Sequence, residues 1–107
     1  MKVLSTPETQ YLISNTVAEK VEEYQKLLAS CGRTATVEIP AHRVEDRDLY
    51  ATIDLAKPLT WRESRDPIAD PVDSEAGAEE LRLEIWELQH ELSEAAEYAE
   101  MASRARE

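Results

Sequence analysis

Leu81–Ala102 reads LRLEIWELQHELSEAAEYAEMA, and the spacing inside this stretch decides the fold. Leu81, Ile85, Leu88, Leu92, Ala95, Ala99 and Ala102 recur in alternating steps of four and three, which keeps one face of a helix apolar over three heptads. Glu84, Glu87, Glu91, Glu94, Glu97 and Glu100 flank that seam, with no Lys or Arg between Glu84 and Ser103. A helix is expected from a cap at Asp73 or Ser74 to about Arg104, its acidic start and its Arg104 and Arg106 end suiting the macrodipole. The seam has two uses: packing on another helix of the same chain, or pairing with a partner. A parallel homodimer would set Glu84 opposite Gln89 and Glu91 opposite Ala96, so no opposite charges would specify it.

Working back from this helix, residues 57–73 (KPLTWRESRDPIADPVD) contain three of the five prolines, which forbids a continuous helix and predicts an irregular connection. Before it, Ala35, Val37 and Ile39 alternate with polar residues, as do Leu49, Ala51, Ile53 and Leu55, predicting two antiparallel strands. Val44, Leu49, Ile53 and Ala56 also form a rough helical stripe, so the second segment reads as strand or helix. At the N-terminus Ser5, Pro7 and Glu8 fit a capping box, and Ile13, Val17, Val21, Tyr24, Leu28 and Cys31 form one stripe ended by Gly32. The expectation is a single α+β domain over 1–107, with two main helices (about 7–31 and 74–104) packed with a small antiparallel β-hairpin.

The formal net charge of −11 is concentrated in residues 74–107, where ten acidic and three basic residues sum to −7. Such a surface is repelled by nucleic acid and by anionic lipid, so direct binding to either is disfavoured. No apolar run approaches a signal peptide or a membrane span, and the lone Cys31 leaves no intramolecular disulfide, so a cytoplasmic setting is expected. Asp66, Asp70, Asp73 and Glu75 do not follow calcium-loop spacing, and His42, His90 and Cys31 form no zinc pattern, so no metal is expected. With Gly32 and Gly77 the only glycines, no phosphate-cradling loop exists, and Cys31 at a helix end lacks the setting of an activated thiol. No enzyme and no cofactor is expected.

The candidate partner-binding residues are Glu80, Glu84, Glu87, Glu91, Glu94 and Glu97, with Trp61 and Arg62 from the proline-bearing segment as interface-type chemistry. Leu81, Ile85, Leu88 and Leu92 form the dimer or packing seam. Glutamates three and four residues apart repel by roughly 0.2–0.5 kcal/mol per pair, which a basic partner would relieve. Crowding of this kind should raise carboxyl pKa values, so stability should increase as pH falls. One carboxylate per about 5 Å of helix is sparse beside a duplex with one charge per about 1.7 Å. The expected function is a non-enzymatic protein-binding module, in its sharper form an inhibitor that blocks a basic nucleic-acid-binding surface of a larger protein. In character this resembles phage-encoded counter-defence inhibitors, with no motif that carries the resemblance. The alternative is a homodimeric structural or adaptor protein assembled through the C-terminal heptad helix.

Overall fold

The structure is a computed structural model that describes residues 1–7, 9–43, 48–64 and 70–105. In chain order the elements are β1 (Lys2–Ser5), β2 (Gln10–Ile13), α1 (Asn15–Ser30), β3 (Thr36–Arg43), β4 (Asp48–Asp54), β5 (Thr60–Glu63) and α2 (Ser74–Ala105). The strands form one sheet in the order β4-β3-β2-β1-β5, and every pairing is antiparallel. The α+β class agrees with the sequence reading, but the expected small hairpin is a five-stranded sheet.

The largest correction lies at the N-terminus, where the chain makes a β-hairpin before its first helix. Val3 pairs with Leu12 and Leu4 with Tyr11, so these residues point alternately to the two sheet faces. The turn between them is closed by Thr6, whose amide and hydroxyl both donate to the Thr9 carbonyl at 2.8 and 2.9 Å. Pro7 therefore sits in a turn, a role it fills as readily as a first helical position. The helix begins instead at Ser14, whose hydroxyl accepts the Val17 amide at 3.2 Å from an extended backbone. Its other end follows the sequence reading: Gly32 has φ 68°, its amide reaches Ala29, and the Arg33 amide reaches the Leu28 carbonyl at 2.9 Å. That is the Schellman arrangement. Glu8, Val44, Arg65, Asp66 and Arg106 lie outside the described residues.

Residues 48–54 are strand throughout, in register from Thr36↔Asp54 to His42↔Asp48. Directly opposed residues share a sheet face, so Leu4 and Tyr11 lie together, as do Ile39 and Ala51 and likewise Val37 and Ile53. Leu4, Ile13, Ile39, Ala41, Ala51 and Ile53 join Val17, Ala18, Val21 and Leu28 of α1 in one core. The connection at 57–73 is also more regular than expected. Thr60–Glu63 forms β5 along the open side of β1, with Trp61 opposite Leu4 and Arg62 opposite Val3. Pro58 and Pro71 lie outside this strand and do not interrupt it, and Pro67 falls outside the described residues.

The placement of α2 follows from a gap in the sheet. Only Tyr11↔Arg43 and Leu12↔His42 join β2 to β3, so the first six residues of β3 have a strand on one side alone. An open strand edge is costly unless covered. Pro40, which has no N–H to leave unpaired, is fully buried there, and Gly77 in the first turns of α2 lies against its ring. The helix is reached through Asp73, in the left-handed region at φ 65°, whose carboxylate accepts the Tyr50 hydroxyl at 2.8 Å. Ser74 donates its hydroxyl to the Pro71 carbonyl. The 32 residues of α2 span about 48 Å, which accounts for the elongated outline of 63 × 26 × 19 Å. Among the described residues no helix is long and apolar enough to cross a membrane.

Candidate functional site

The helix α2 changes character at Leu92. Ala78, Leu81, Ile85 and Leu88 are buried in the same core cluster as Tyr24 and Leu28 of α1, and Leu92 is half-buried against it. The large side chains of the seam are therefore consumed within the chain. Beyond Leu92 every residue from Ser93 to Ala102 is exposed. Ala95, Ala99 and Ala102 carry the seam onward for roughly 15 Å, all exposed, with none of the described residues covering them.

The carboxylates divide at nearly the same place. A helix turns about 100° per residue, which confines Glu80, Glu84, Glu87 and Glu91 to an arc of about 60° on one flank of the buried stripe. From Glu91 onward the spacing is a constant three, and each step of three rotates the next side chain back by about 60°. Glu94, Glu97 and Glu100 thus wind around the protruding end. The single acidic stripe expected from sequence is a flank that becomes a spiral.

The flank borders a groove shared with the end of α1 and the start of β3. One section, about 190 Å³, is lined by Tyr24, Leu28, Arg33, Glu84, Glu87 and Glu91 among others. The adjoining one, about 290 Å³, runs toward the start of α2 past Tyr24, Thr36, Glu38, Glu80, Leu81 and Glu84. Arg33 meets Glu91 with both guanidinium branches, Nη1 to Oε2 at 3.0 Å and Nη2 to Oε1 at 3.0 Å. This fork-on-fork contact holds the Glu91 carboxyl below the usual range. The raised pKa expected from crowding is thus reversed at Glu91. Burial, with Glu84 and Glu87 adding to it, pushes the Tyr24 phenol upward.

The face of α2 turned away from the core exposes Leu83, Trp86 and Met101. Trp86 stacks on His90 with ring centroids 5.2 Å apart and planes within 4°, and His90 Nε2 lies 3.2 Å from Glu94. Arg82 pairs with Glu79 at 3.1 Å.

Trp61 and Arg62 do not join this surface. They lie on β5, separated by β1 and β2 from β3, the strand that α2 touches. Trp61 is half-buried against the core, its indole Nε1 buried without a hydrogen-bond partner among the described residues, while Arg62 reaches Gln10 at 3.5 Å. Tyr24 and Arg33 are the site residues that sequence reading passed over. The only clue to Arg33 was its place after Gly32, where the cap turns the chain back beside the helix. Among the described residues no group of three or more His, Cys, Asp and Glu side chains is placed to hold a metal ion. Comparisons with known protein families, with curated proteins and with solved structures find no match.

Proposed function

We propose that this protein is a non-enzymatic binding module whose acidic C-terminal helix occupies a basic surface of a larger protein, acting as an inhibitor where that surface handles nucleic acid. One observation carries the reading. Residues 93–102 form an exposed helical arm bearing Glu94, Glu97 and Glu100 and no basic residue, while Leu81, Ile85 and Leu88 anchor the base of the same helix in the core. An arm already folded and fixed at one end loses little freedom on binding. Its repelling carboxylates gain from any Lys or Arg that approaches them. Because those carboxylates wind around the axis, a concave basic groove answers them better than a flat basic face.

Charge density sets the scale of the mimicry: at about one carboxylate per 5 Å the helix stands in for a few phosphates, not for a duplex. A cytoplasmic, phage counter-defence setting accords with this proposal. The homodimeric alternative has lost its anchors, since the leucines of the seam are already packed and pairing two arms would bring like charges together.

Capture from a cell lysate, repeated at rising salt, tests the reading with the variant Glu94→Lys, Glu97→Lys, Glu100→Lys. The expected result is at least a tenfold loss of the retained basic protein with the circular dichroism spectrum unchanged. Undiminished capture overturns it.

A further inference from the structure

We propose that the groove between α2 and β3 is a socket for an arginine side chain of the basic partner, seated between Glu80, Glu84 and Glu38 and over the Tyr24 hydroxyl. This rests on the reading that the partner is a basic protein, and it places the specific contact at the root of α2, away from the exposed arm.

Tyr24 supplies the first observation. It is only 7% exposed, it lines both sections of the groove, and among the described residues its hydroxyl makes no hydrogen bond. Its ring is packed in the core while its hydroxyl stays accessible at the groove, able to accept from a donor that enters there. Its environment is negative, as the upward push from Glu84 and Glu87 shows. A cation is the donor such a position favours.

Arg33 supplies the second. From the end of α1 it enters the neighbouring section and grips Glu91 with both branches, which shows the groove wall accepting a guanidinium. The section past Tyr24 has Glu38 on the β3 side and Glu80 and Glu84 on the α2 side, with no Lys or Arg among the described residues that line it. Ala35, Val37 and Leu81 line it as well, an apolar bed for the methylene stem of a long cationic side chain. Carboxylates on both walls suit the planar, multiply donating guanidinium better than the single point charge of an ammonium.

The test uses the full chain with the peptide acetyl-Gly-Arg-Gly-amide and its citrulline counterpart at constant ionic strength, following the Tyr24 ring signals by NMR. The arginine peptide should shift them saturably and lower the pH at which Tyr24 ionises, and citrulline should do neither. Glu84→Gln together with Glu80→Gln should weaken the response at least fivefold, and Tyr24→Phe should weaken the peptide's effect on the neighbouring Ala35 and Leu81 methyl signals. The Glu94→Lys, Glu97→Lys, Glu100→Lys variant should keep the full Tyr24 response, so that failure of the socket and failure of the arm are separately visible. An equal response to citrulline, an undiminished response in the glutamine variant, or its loss in the arm variant each overturns the proposal.

Discussion

A β-carbon placed on Gly77 would lie 2.6 Å from Cδ and 2.9 Å from Cγ of Pro40. The first turns of α2 thus meet β3 at a point where only glycine fits, and the direction in which the helix leaves the body is set there. Gly77→Ala gains up to about 1 kcal/mol of helix propensity but forces overlap with a ring fixed to a strand backbone, which costs about 1–3 kcal/mol. Urea denaturation should show a net loss of stability. A more stable variant would mean that α2 stands off from β3.

Ile85 and Leu83 lie two residues apart on α2, at 4% and 57% exposure. Ile85→Ala opens a cavity against α1 and should cost about 2–4 kcal/mol, whereas Leu83→Ala should stay within about 0.5 kcal/mol. Comparable losses in thermal or chemical denaturation would show that a different face of the helix is packed.

Arg33 and Glu91 make a pH-dependent contact whose sign is opposite to the one that crowded glutamates suggest. The Glu91 carboxyl is held down by the hydrogen bonds and charge of Arg33, so the folded state binds this proton less readily than the unfolded one. Its contribution is present above the ordinary carboxylate range and disappears as pH falls through the lowered midpoint. Both side chains are about half exposed, so the effect on overall stability is small and is best read locally. An NMR titration of the Glu91 side-chain carboxyl should move to higher pH in Arg33→Gln. An unchanged midpoint would show that the pair is not formed in solution.

Long periodic patterns were legible because a helix repeats its own geometry many times. The stripe from Val17 to Leu28 and the seam from Leu81 to Leu92 each place the core face of a helix where the structure has it. Short strands were not legible in the same way. KVLS and QYLI offer two alternations each, too few to outweigh a Ser–Pro–Glu pattern that also reads as a helix start, and what makes them strands is that Val3 and Leu4 find Leu12 and Tyr11 across the ladder. The same holds for β5, whose four residues are a strand because β1 had a free edge to offer.

The candidate site was partly legible for a related reason. The identity and spacing of the glutamates place Glu80, Glu84, Glu87 and Glu91 on one flank and rotate Glu94, Glu97 and Glu100 away from it. Which of them faces water alone and which faces a groove depends on residues distant in the chain. Tyr24 and Arg33 become neighbours of Glu84 and Glu91 only because α1 and α2 pack side by side.

From its order of residues alone this chain determined two amphipathic helices, an α+β composition and a charge imbalance gathered at one end, because periodicity and charge are local properties. Tertiary structure decided how much of the long helix is buried and how much projects. Burial is a competition among all apolar faces for a limited core, and here the core beside α1 extends only as far as Leu92.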